Sequence, residues 1–393
     1  MPLAGLVPLR TWRMAPAMTL QFETGPLAFC SRAGRGPHLD GSRETFKVEA
    51  RHVGGHVREA VVAAGDDASA WRMLSDEGLH LKGTDLAPFP FGYFNAGLQA
   101  DLIRCIRNSA ALHGVKLDVL NTVLDNEYWL TGSFALGTGQ GHAEPARIQI
   151  DVRSDAPQTT IGKVVAAAVE ASPAMALLRT PLVNTFALYV NGRRRAVSDV
   201  AASPATDVVD PFLRYQAPPG APANADAVIE KLSMREDGEI AIAASATTTR
   251  ITRKVTGRAR LVDASGMTAI ETWLQLPGMS HFAFRSDESG GDRAPCGLAL
   301  LAAGLAFCYM TQIARYVETM KLAVGSVRLV QFSPFLTGGA EGFDTHLFLN
   351  GEAPDEMQTN LLTIAARTCY LHATMAAALP PLVSVKHNGS PLR

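Results

Sequence analysis

The sequence predicts an α+β fold built from two similar modules joined by a linker. Its 393 residues exceed the roughly 250–300 residues at which a single hydrophobic core stops growing. Hydrophobic residues make up 47% of the chain and charged residues 19%, which is the composition of a folded globular protein. The predicted strands are grouped around long apolar helices instead of alternating with them one for one, and this grouping is typical of α+β folds.

A heptapeptide that occurs twice locates the two central helices. Residues 95–101 read NAGLQAD and residues 302–308 read AAGLAFC, an offset of 207 (302 − 95). The same offset relates the Ala-Pro pairs at 87–88 and 294–295. In each copy a polar loop leads through the proline into an apolar run without helix breakers, which is how a buried helix begins. Both helices are therefore expected to be central and buried on nearly all sides.

The residues that follow complete the same order of elements in both copies: strands, helix, strands, helix, strand. Gly114 and Gly325 predict the ends of the two central helices, because glycine is common just past a helix C-terminus. Hydrophobic periodicity predicts the remaining elements. The matching segments are strands at 46–63 and 239–263, strands at 146–152 and 344–350, helices at 160–178 and 355–379, and final strands that end at Asn191-Gly192 and Asn388-Gly389.

The repeated order divides the chain into four parts. They are an N-terminal tail at 1–44, a first module at 45–200, a Pro- and Ala-rich linker at 201–228 and a second module at 229–393. The linker has no hydrophobic period, so it is expected to be extended and semi-stiff. Within the tail, Met14 and Met18 are alternative start sites.

Charge and hydropathy exclude several classes of protein. Lys and Arg number 36 against 37 Asp and Glu, so the chain lacks the basic surface of a nucleic-acid-binding protein. No apolar run reaches the roughly 18–20 residues of a membrane span, and the N-terminus lacks a compact signal-peptide core. We therefore expect a cytoplasmic protein that binds neither nucleic acid nor membranes. No CxxC pair or histidine cluster has metal-ligand spacing, so neither a metal nor another cofactor is expected.

The five cysteines are an odd number in a long chain, and this pattern does not indicate a disulfide scaffold. In a reducing compartment such thiols are either small buried apolar side chains or reactive groups. Cys30, Cys105 and Cys296 are interpreted as structural. Cys308 and Cys369 are the candidates for thiol chemistry, although a cysteine in an apolar helix also suits a packed core.

The segment RSDESGGDRAPCGLALLAAGLAFC, residues 285–308, resembles the region around the reactive cysteine of the OsmC/Ohr family. This family comprises osmotically inducible protein C and the organic hydroperoxide resistance proteins. The resemblance implies that a loop leads into a central helix carrying the first cysteine, which is Cys308 here. It also implies a second cysteine on a later helix, which matches Cys369, 61 residues on (369 − 308).

Family members are usually homodimers, and the resemblance implies that a fused duplication would build such a dimer within one chain. Position 101, which matches the first family cysteine, is Asp101, and position 172, which matches the second, is Ser172. The first copy has therefore lost both thiols and the second has kept both. We expect an intramolecular pseudo-dimer with one surviving thiol site, either as a monomer or in a higher homo-oligomer.

The resemblance implies reduction of an apolar organic hydroperoxide, with Cys308 attacking, Cys369 resolving and an external dithiol as reductant. The family also supplies an activating Arg from an early strand and a Glu near the start of the central helix. The Glu positions read Gly92 in the first copy and Ala299 in the second. For the Arg, the first copy has His56 at the expected place with Arg58 two residues on. In the second copy the register is not fixed, and the candidates there are Arg250, Arg253 and Arg258.

Two other functions stay open. A cysteine with His and Asp in reach can act as a nucleophile in acyl transfer, and Cys308 with His56, Asp101 and His372 would suit a hydrolase of a small ester, thioester or activated ketone. The third alternative is a non-catalytic protein that binds a small molecule in the same cleft. Asp101 has a structural alternative too, an ion pair with Arg104, because a buried carboxylate requires a partner.

Overall fold

The computed structural model describes residues 25–392 apart from 38–42, 135, 217–219, 222–226, 234–250, 264 and 279. It confirms the predicted α+β class: within these residues seven helices lie with two mixed, largely antiparallel sheets. The helices are α1 (Pro90–Leu112), α2 (Gln158–Ala171), α3 (Pro173–Arg179), α4 (Phe212–Gln216), α5 (Gly297–Met320), α6 (Asp355–Thr368) and α7 (Tyr370–Ala377).

The first sheet contains strands from both ends of the sequence, in the order β1-β4-β3-β2-β15-β17-β8-β10. Its strands are β1 (Ala28–Arg32), β2 (Arg43–Gly54), β3 (Val57–Ala63), β4 (Ala70–Ser75), β8 (Thr185–Val190), β9 (Arg193–Arg195), β10 (Ala201–Ala202), β15 (Val324–Leu336), β16 (Gly339–Ala340) and β17 (Asp344–Gly351). The short strands β9 and β16 pair with β8 and β15.

The second sheet has a matching order, β11-β14-β13-β12-β5-β7-β18-β19. Its strands are β5 (Val119–Thr131), β6 (Gln140–Ala143), β7 (Arg147–Arg153), β11 (Ile229–Lys231), β12 (Ile251–Leu261), β13 (Met267–Leu276), β14 (His281–Asp287), β18 (Leu382–His387) and β19 (Ser390–Pro391). In both sheets the strand that follows a central helix pairs with a strand of the other half of the chain. β15, which follows α5, pairs with β2, and β5, which follows α1, pairs with β12. The halves are therefore intertwined, and neither half completes a sheet by itself.

The central helices lie between the two sheets. Helix α5 packs on β2, β3 and β15, and α1 packs on β5, β12 and β13. Both are almost wholly buried, as the repeated phrase predicts. Helix α5 has the length and mean hydropathy of a membrane span, but 94% of that window is buried inside the protein, which suits a core helix.

Glycines let the two central helices approach closely. A Cβ atom on Gly97 would lie 2.6 Å from the carbonyl oxygen of Gly297 and 2.7 Å from the Cβ of Leu301. One on Gly304 would lie 2.8 Å from the backbone nitrogen of Phe94. Gly97, in the second turn of α1, meets the first residue of α5, whereas Gly304, further along α5, meets Phe94 near the start of α1. The two helices therefore cross antiparallel. Gly97 and Gly304 are the matched glycines of the repeated phrase, which explains why the phrase occurs twice.

The predicted end of the first central helix is confirmed and that of the second is wrong. Gly114 has φ +65° just past the last turn of α1. Helix α5 instead ends with Lys321 in the left-handed region, φ +51°, where the N–H of Leu322 bonds to the carbonyl of Val317. Gly325 already belongs to β15. A lysine in this conformation gives no sequence signal, because glycine is the usual residue there.

Each predicted second helix is interrupted in the structure. The segment 160–178 breaks at Ser172 and the segment 355–379 breaks at Cys369, where both residues take extended backbone and precede a new helix. Pro173 explains the first break, because a proline at the first helical position starts a helix and cannot continue one. Both breaks place a polar or sulfur side chain at a helix N-terminus that faces a central helix.

The described part of the linker packs on the outer face of the first sheet. Asp210 forms an ion pair with Arg328, with Oδ1 2.7 Å from Nε. The hydroxyl of Tyr215 donates a hydrogen bond of 2.6 Å to the carbonyl of Glu49. Residues 203–216 are thus held by specific contacts, and part of them forms α4.

Several sequence predictions fall outside the described residues. They concern the start sites Met14 and Met18, the first part of the strand predicted at 239–263, and the candidate Arg250.

The glycine crossing can be tested with Gly97→Ala. Its Cβ would meet the backbone of Gly297, which cannot rotate away as a side chain could, so we expect the free energy of unfolding to fall by about 1–3 kcal/mol. Urea denaturation followed by circular dichroism measures this change. The matched control is Gly54→Ala, since a Cβ there meets nothing within 4 Å. Equal stability of the two variants would show that the crossing tolerates a methyl group.

Candidate functional site

The structure brings two free thiols into contact. Cys308 lies in the middle of α5, and Cys369 is the residue that precedes α7. Their sulfur atoms are 3.4 Å apart, and both residues are buried. Because a disulfide bond is only about 2.05 Å long, the two sulfurs are neighbouring thiols and not a disulfide.

The N-terminus of α7 faces both sulfurs. The backbone N–H of Leu371 donates toward Cys308, and that of His372 toward Cys369. Amides at a helix N-terminus carry partial positive charge and favour an anion nearby. The imidazole of His372 lies beside Cys369, but neither ring nitrogen forms a regular hydrogen bond within the described residues.

The two thiols titrate as a pair, and their pKa values move apart. Burial and the neighbouring Cys369 raise the pKa of Cys308. Burial also acts to raise the pKa of Cys369, but the hydrogen bond with Cys308 and the charge of His372 outweigh it, so the pKa of Cys369 is lowered. Close pairs of this kind share a proton and lose their two protons in separate steps.

A buried cation from the other half of the chain lies within electrostatic reach of Cys308. Arg58 on β3 is fully buried, and its Nη1 atom is 3.7 Å from the carboxylate of Glu77. Its Nε and Nη1 atoms form no hydrogen bond within the described residues. The hydroxyl of Thr311, one turn after Cys308, donates a 2.5 Å hydrogen bond to Glu77. Glu77 thus links the guanidinium to the helix that carries Cys308.

The pKa values of these buried charges follow from desolvation and pairing. Burial lowers the pKa of Arg58, while the negative charges of Glu77, Asp76 and a Cys308 thiolate raise it. A guanidinium titrates so far above neutrality that Arg58 stays charged. Burial raises the pKa of Glu77, and Arg58 and Thr311 partly reverse this. The result is a cation in low dielectric within electrostatic reach of Cys308.

A small cavity of about 20 Å³ opens onto Cys308. Such a volume holds about one water molecule, so a larger ligand requires the rim side chains to move. The walls come from both halves of the chain and combine aromatic, apolar and charged groups. They are formed by Glu77, His80, Leu81, Phe89, Pro90, Phe91, Arg253, Leu274, Cys308, Thr311, Gln312, Arg315 and Tyr370.

Aromatic side chains surround the thiols on one side. The rings of Phe91 and Tyr128 stack with centroids 4.4 Å apart, and Tyr370 contacts Phe91 edge-on. The hydroxyl of Tyr128 is buried without a hydrogen-bond partner among the described residues. Burial and the two nearby sulfurs raise the pKa of Tyr128, so it stays protonated and is able to donate to a sulfur anion.

A charged cluster occupies the corresponding place on α1. The carboxylate of Asp101 accepts hydrogen bonds from Arg104 at 2.5 Å and from the hydroxyl of Ser172 at 2.5 Å. The backbone N–H of Ala174 adds a bond of 3.1 Å. The Asp101–Arg104 ion pair expected from the sequence is therefore present, and Asp101 and Ser172 stand where Cys308 and Cys369 stand in the other half.

The two clusters also differ in where the cation sits. Glu288 lies 3.8 Å from Arg104, as Glu77 lies near Arg58. In the strand register, Arg58 lies opposite Ser75, and Thr268 lies opposite Ser286. The two serines match each other, because each donates its hydroxyl hydrogen to the carbonyl of the proline before a central helix. Ser75 bonds to Pro88 and Ser286 to Pro295.

Thr268 is thus the counterpart of Arg58, and Arg104 the counterpart of Thr311 (104 + 207 = 311). The cation comes from the strand in one cluster and from the helix in the other. The strand position brings the charge of Arg58 within electrostatic reach of Cys308.

The remaining candidates lie at different distances from the thiols. His56 contacts Arg58, with Nδ1 3.4 Å from Nη2. Its pKa is lowered to about 4 by burial and by Arg58. Asp101 lies beside Gly297 at the start of α5, and Cys308 is eleven residues further on, or about 16 Å along a helix. The structure therefore brings together Cys308, Cys369 and His372, and it does not bring Asp101 to them.

Sequence reasoning missed Glu77 and passed over Arg58 as a neighbour of His56. A signal was present, because Ser-Asp-Glu occurs at 75–77 and again at 286–288. Glu77 lies on the loop after β4. Its distance in sequence from Cys308 hid the contact.

No protein-family model matches the chain, and no curated protein matches it significantly. Among solved structures it is similar to an OsmC-like hydroperoxide resistance protein from Jannaschia sp. CCS1, at 26% identity. That match covers 31% of this chain and 85% of the other, with a TM-score of 0.20.

The charged cluster can be tested with Asp101→Ala, which removes the nearest carboxylate from the buried Arg104. Glu288 remains 3.8 Å from Arg104, but the variant breaks the buried pair that is hydrogen-bonded. Breaking such a pair costs about 3–5 kcal/mol of unfolding free energy, which urea denaturation would report. The double variant Asp101→Leu/Arg104→Leu removes both members of the pair and is expected to recover part of this loss, since it leaves Glu288 without Arg104. A single variant as stable as the wild type would mean that the pair is not a structural requirement.

Proposed function

We propose that the protein reduces organic hydroperoxides through Cys308 and Cys369. The observation that carries this proposal is the 3.4 Å contact between two free sulfurs, one of which faces a cavity. Arg58 and Glu77 add a buried ion pair beside Cys308. A thiol buried among apolar residues needs a nearby cation to ionise, and Arg58 supplies one from the opposite half of the chain.

The reaction takes place in two steps. Cys308 passes its proton to the Cys369 thiolate across the 3.4 Å contact and attacks one peroxide oxygen. The O–O bond breaks, the alkoxide takes that proton from Cys369 and leaves as the alcohol, and Cys308 becomes a sulfenic acid. Cys369 then attacks the Cys308 sulfur and displaces hydroxide, which takes a proton to form water. The peroxide gains two electrons, the thiols form a disulfide, and an external dithiol restores them by exchange.

The individual groups have separate tasks in this scheme. Arg58 stabilises negative charge on the Cys308 sulfur, and Glu77 with Thr311 fixes the guanidinium below the helix. The N-terminus of α7 favours the thiolate of Cys369, which is the form that attacks the sulfenic acid. The short distance between the sulfurs means that the disulfide forms with little movement of the backbone.

The hydrolase alternative has less support. A cysteine hydrolase needs an imidazole that accepts the thiol proton and a carboxylate that orients it. His372 has no carboxylate partner within the described residues, and Asp101 is engaged by Arg104 and Ser172. The binding-protein alternative accounts for the cavity but gives no role to the paired sulfurs.

We also infer that the chain is a fused duplication in which one thiol site was replaced by a charged cluster. The matching strand order of the two sheets supports this origin, as do Ser75 and Ser286 with their identical bonds to a proline carbonyl. The exchange of strands between the halves is what a dimer of single modules would show after fusion. The modules at 45–200 and 229–393 are the proposed units.

Intact mass after one equivalent of cumene hydroperoxide tests the peroxide reaction. The wild type is expected to lose two mass units as Cys308 and Cys369 join. Cys369→Ser removes the resolving thiol, so a sulfenic acid on Cys308 should be trapped with dimedone. The control is Cys105→Ser, which should oxidise like the wild type. If the wild type and Cys369→Ser both remain fully reduced, the redox proposal is wrong.

A further inference from the structure

The rim of the cavity above Cys308 carries two arginines that form no ion pair within the described part of the chain. Arg253 enters from β12 and Arg315 from α5, and both line the cavity. Among the described residues neither has a carboxylate within ion-pair distance. Arg253 donates to the carbonyl of Thr252, and Arg315 to the side chain of Gln312 at 2.9 Å. Two like charges at one opening repel each other, so an anion between them would be favoured.

The carboxylate nearest the rim is already engaged. Glu77 pairs with Arg58 and accepts a hydrogen bond from Thr311. Its charge also acts on Arg253 and Arg315 without an ion pair to either, so one carboxylate is shared among three arginines. Burial lowers the pKa of Arg253, and Arg315 lowers it further. The two guanidinium groups are therefore close enough to interact, and both counteract the effect of burial on the pKa of Tyr370.

His80 adds an uncharged polar group to the same opening. Burial, Arg253 and Arg315 lower the pKa of His80 to about 3, so its imidazole is neutral at physiological pH. The Nδ1 atom is buried and has no hydrogen-bond partner among the described residues. In the tautomer that carries a proton on Nδ1, His80 can donate to an anion without adding to the charge of the rim.

We propose that Arg253 and Arg315 bind the carboxylate of an organic hydroperoxide and thereby direct its O–O bond to Cys308. This inference rests on the proposed function and names the substrate class. Arg315 follows Cys308 by seven residues, about 10 Å along a helix, and the side chain of Arg315 shortens that span. A carboxylate and a peroxide separated by about the length of an aromatic ring fit this distance. The apolar walls, including Phe91 and Leu274, would contact the ring.

Two peroxides that differ only in the anionic group test the proposal. They are cumene hydroperoxide and its para-carboxylate, assayed with the wild type, Arg253→Gln and Arg315→Gln. An ionic hydrogen bond contributes enough for about a tenfold change or more, so we expect the wild type to favour the carboxylate in kcat/KM by at least that factor. Each variant should lose most of this preference, measured as the ratio of kcat/KM for the two peroxides within the same variant.

The matched control is Arg43→Gln, since Arg43 is an exposed arginine paired with Glu341 on the outside of the protein. It should retain the preference of the wild type. An unchanged ratio of the two substrates in Arg253→Gln and Arg315→Gln would overturn the assignment. So would a wild type that reduces both peroxides equally well.

A binding measurement separates failure of the rim from failure of the proposed function. Calorimetric titration with 4-isopropylbenzoate, which has the same ring and carboxylate but no peroxide, needs no turnover. Binding to the wild type that is lost in Arg253→Gln supports the anion site even if neither peroxide is reduced. Absence of binding to the wild type contradicts the anion site whatever the peroxidase activity.

Discussion

The close antiparallel crossing of α1 and α5 is the constraint on which the rest of the structure depends. Gly97, Gly297 and Gly304 leave no room for a side chain where the helices meet. At that separation each helix packs on one sheet, and the strands that follow it reach the sheet of the other half. The glycines of the repeated phrase therefore set the distance between the two helices. The last residue of each phrase, Asp101 or Cys308, determines whether its cluster is a buried ion pair or a pair of thiols.

The exchange of strands is what assembles the thiol site from distant parts of the sequence. Because β2 pairs with β15, the neighbouring strand β3 packs on α5. Arg58 on β3 therefore lies within electrostatic reach of Cys308, although the two are 250 residues apart in sequence (308 − 58). Glu77 then bridges to Thr311. The other cluster uses the same framework with the cation moved to the helix, where Arg104 neutralises Asp101. A framework of this kind accepts a buried charge on either element provided that a partner is supplied.

Much of the fold could be predicted from the sequence, because local signals agree with the final structure. The prolines before the central helices and Gly114 mark boundaries that the structure confirms. The end of α5 at Lys321 and the break at Cys369 could not be predicted, since neither residue has an intrinsic preference for the conformation it adopts. The thiol candidates came from a resemblance to a family. Arg58 and Glu77 depend on pairing between the two halves, which hydrophobic periodicity does not encode.

The central claim is that Arg58 activates Cys308 across the boundary between the halves. The most direct test is the second-order rate constant for oxidation of Cys308 by cumene hydroperoxide, followed by rapid quenching and mass spectrometry. In Arg58→Gln this constant should fall by about a hundredfold, the usual effect of removing one buried stabilising group. Arg72→Gln, which alters another buried arginine on the neighbouring strand that is paired with Glu59, should stay within about threefold of the wild type. A rate in Arg58→Gln equal to that of Arg72→Gln would contradict this role for Arg58.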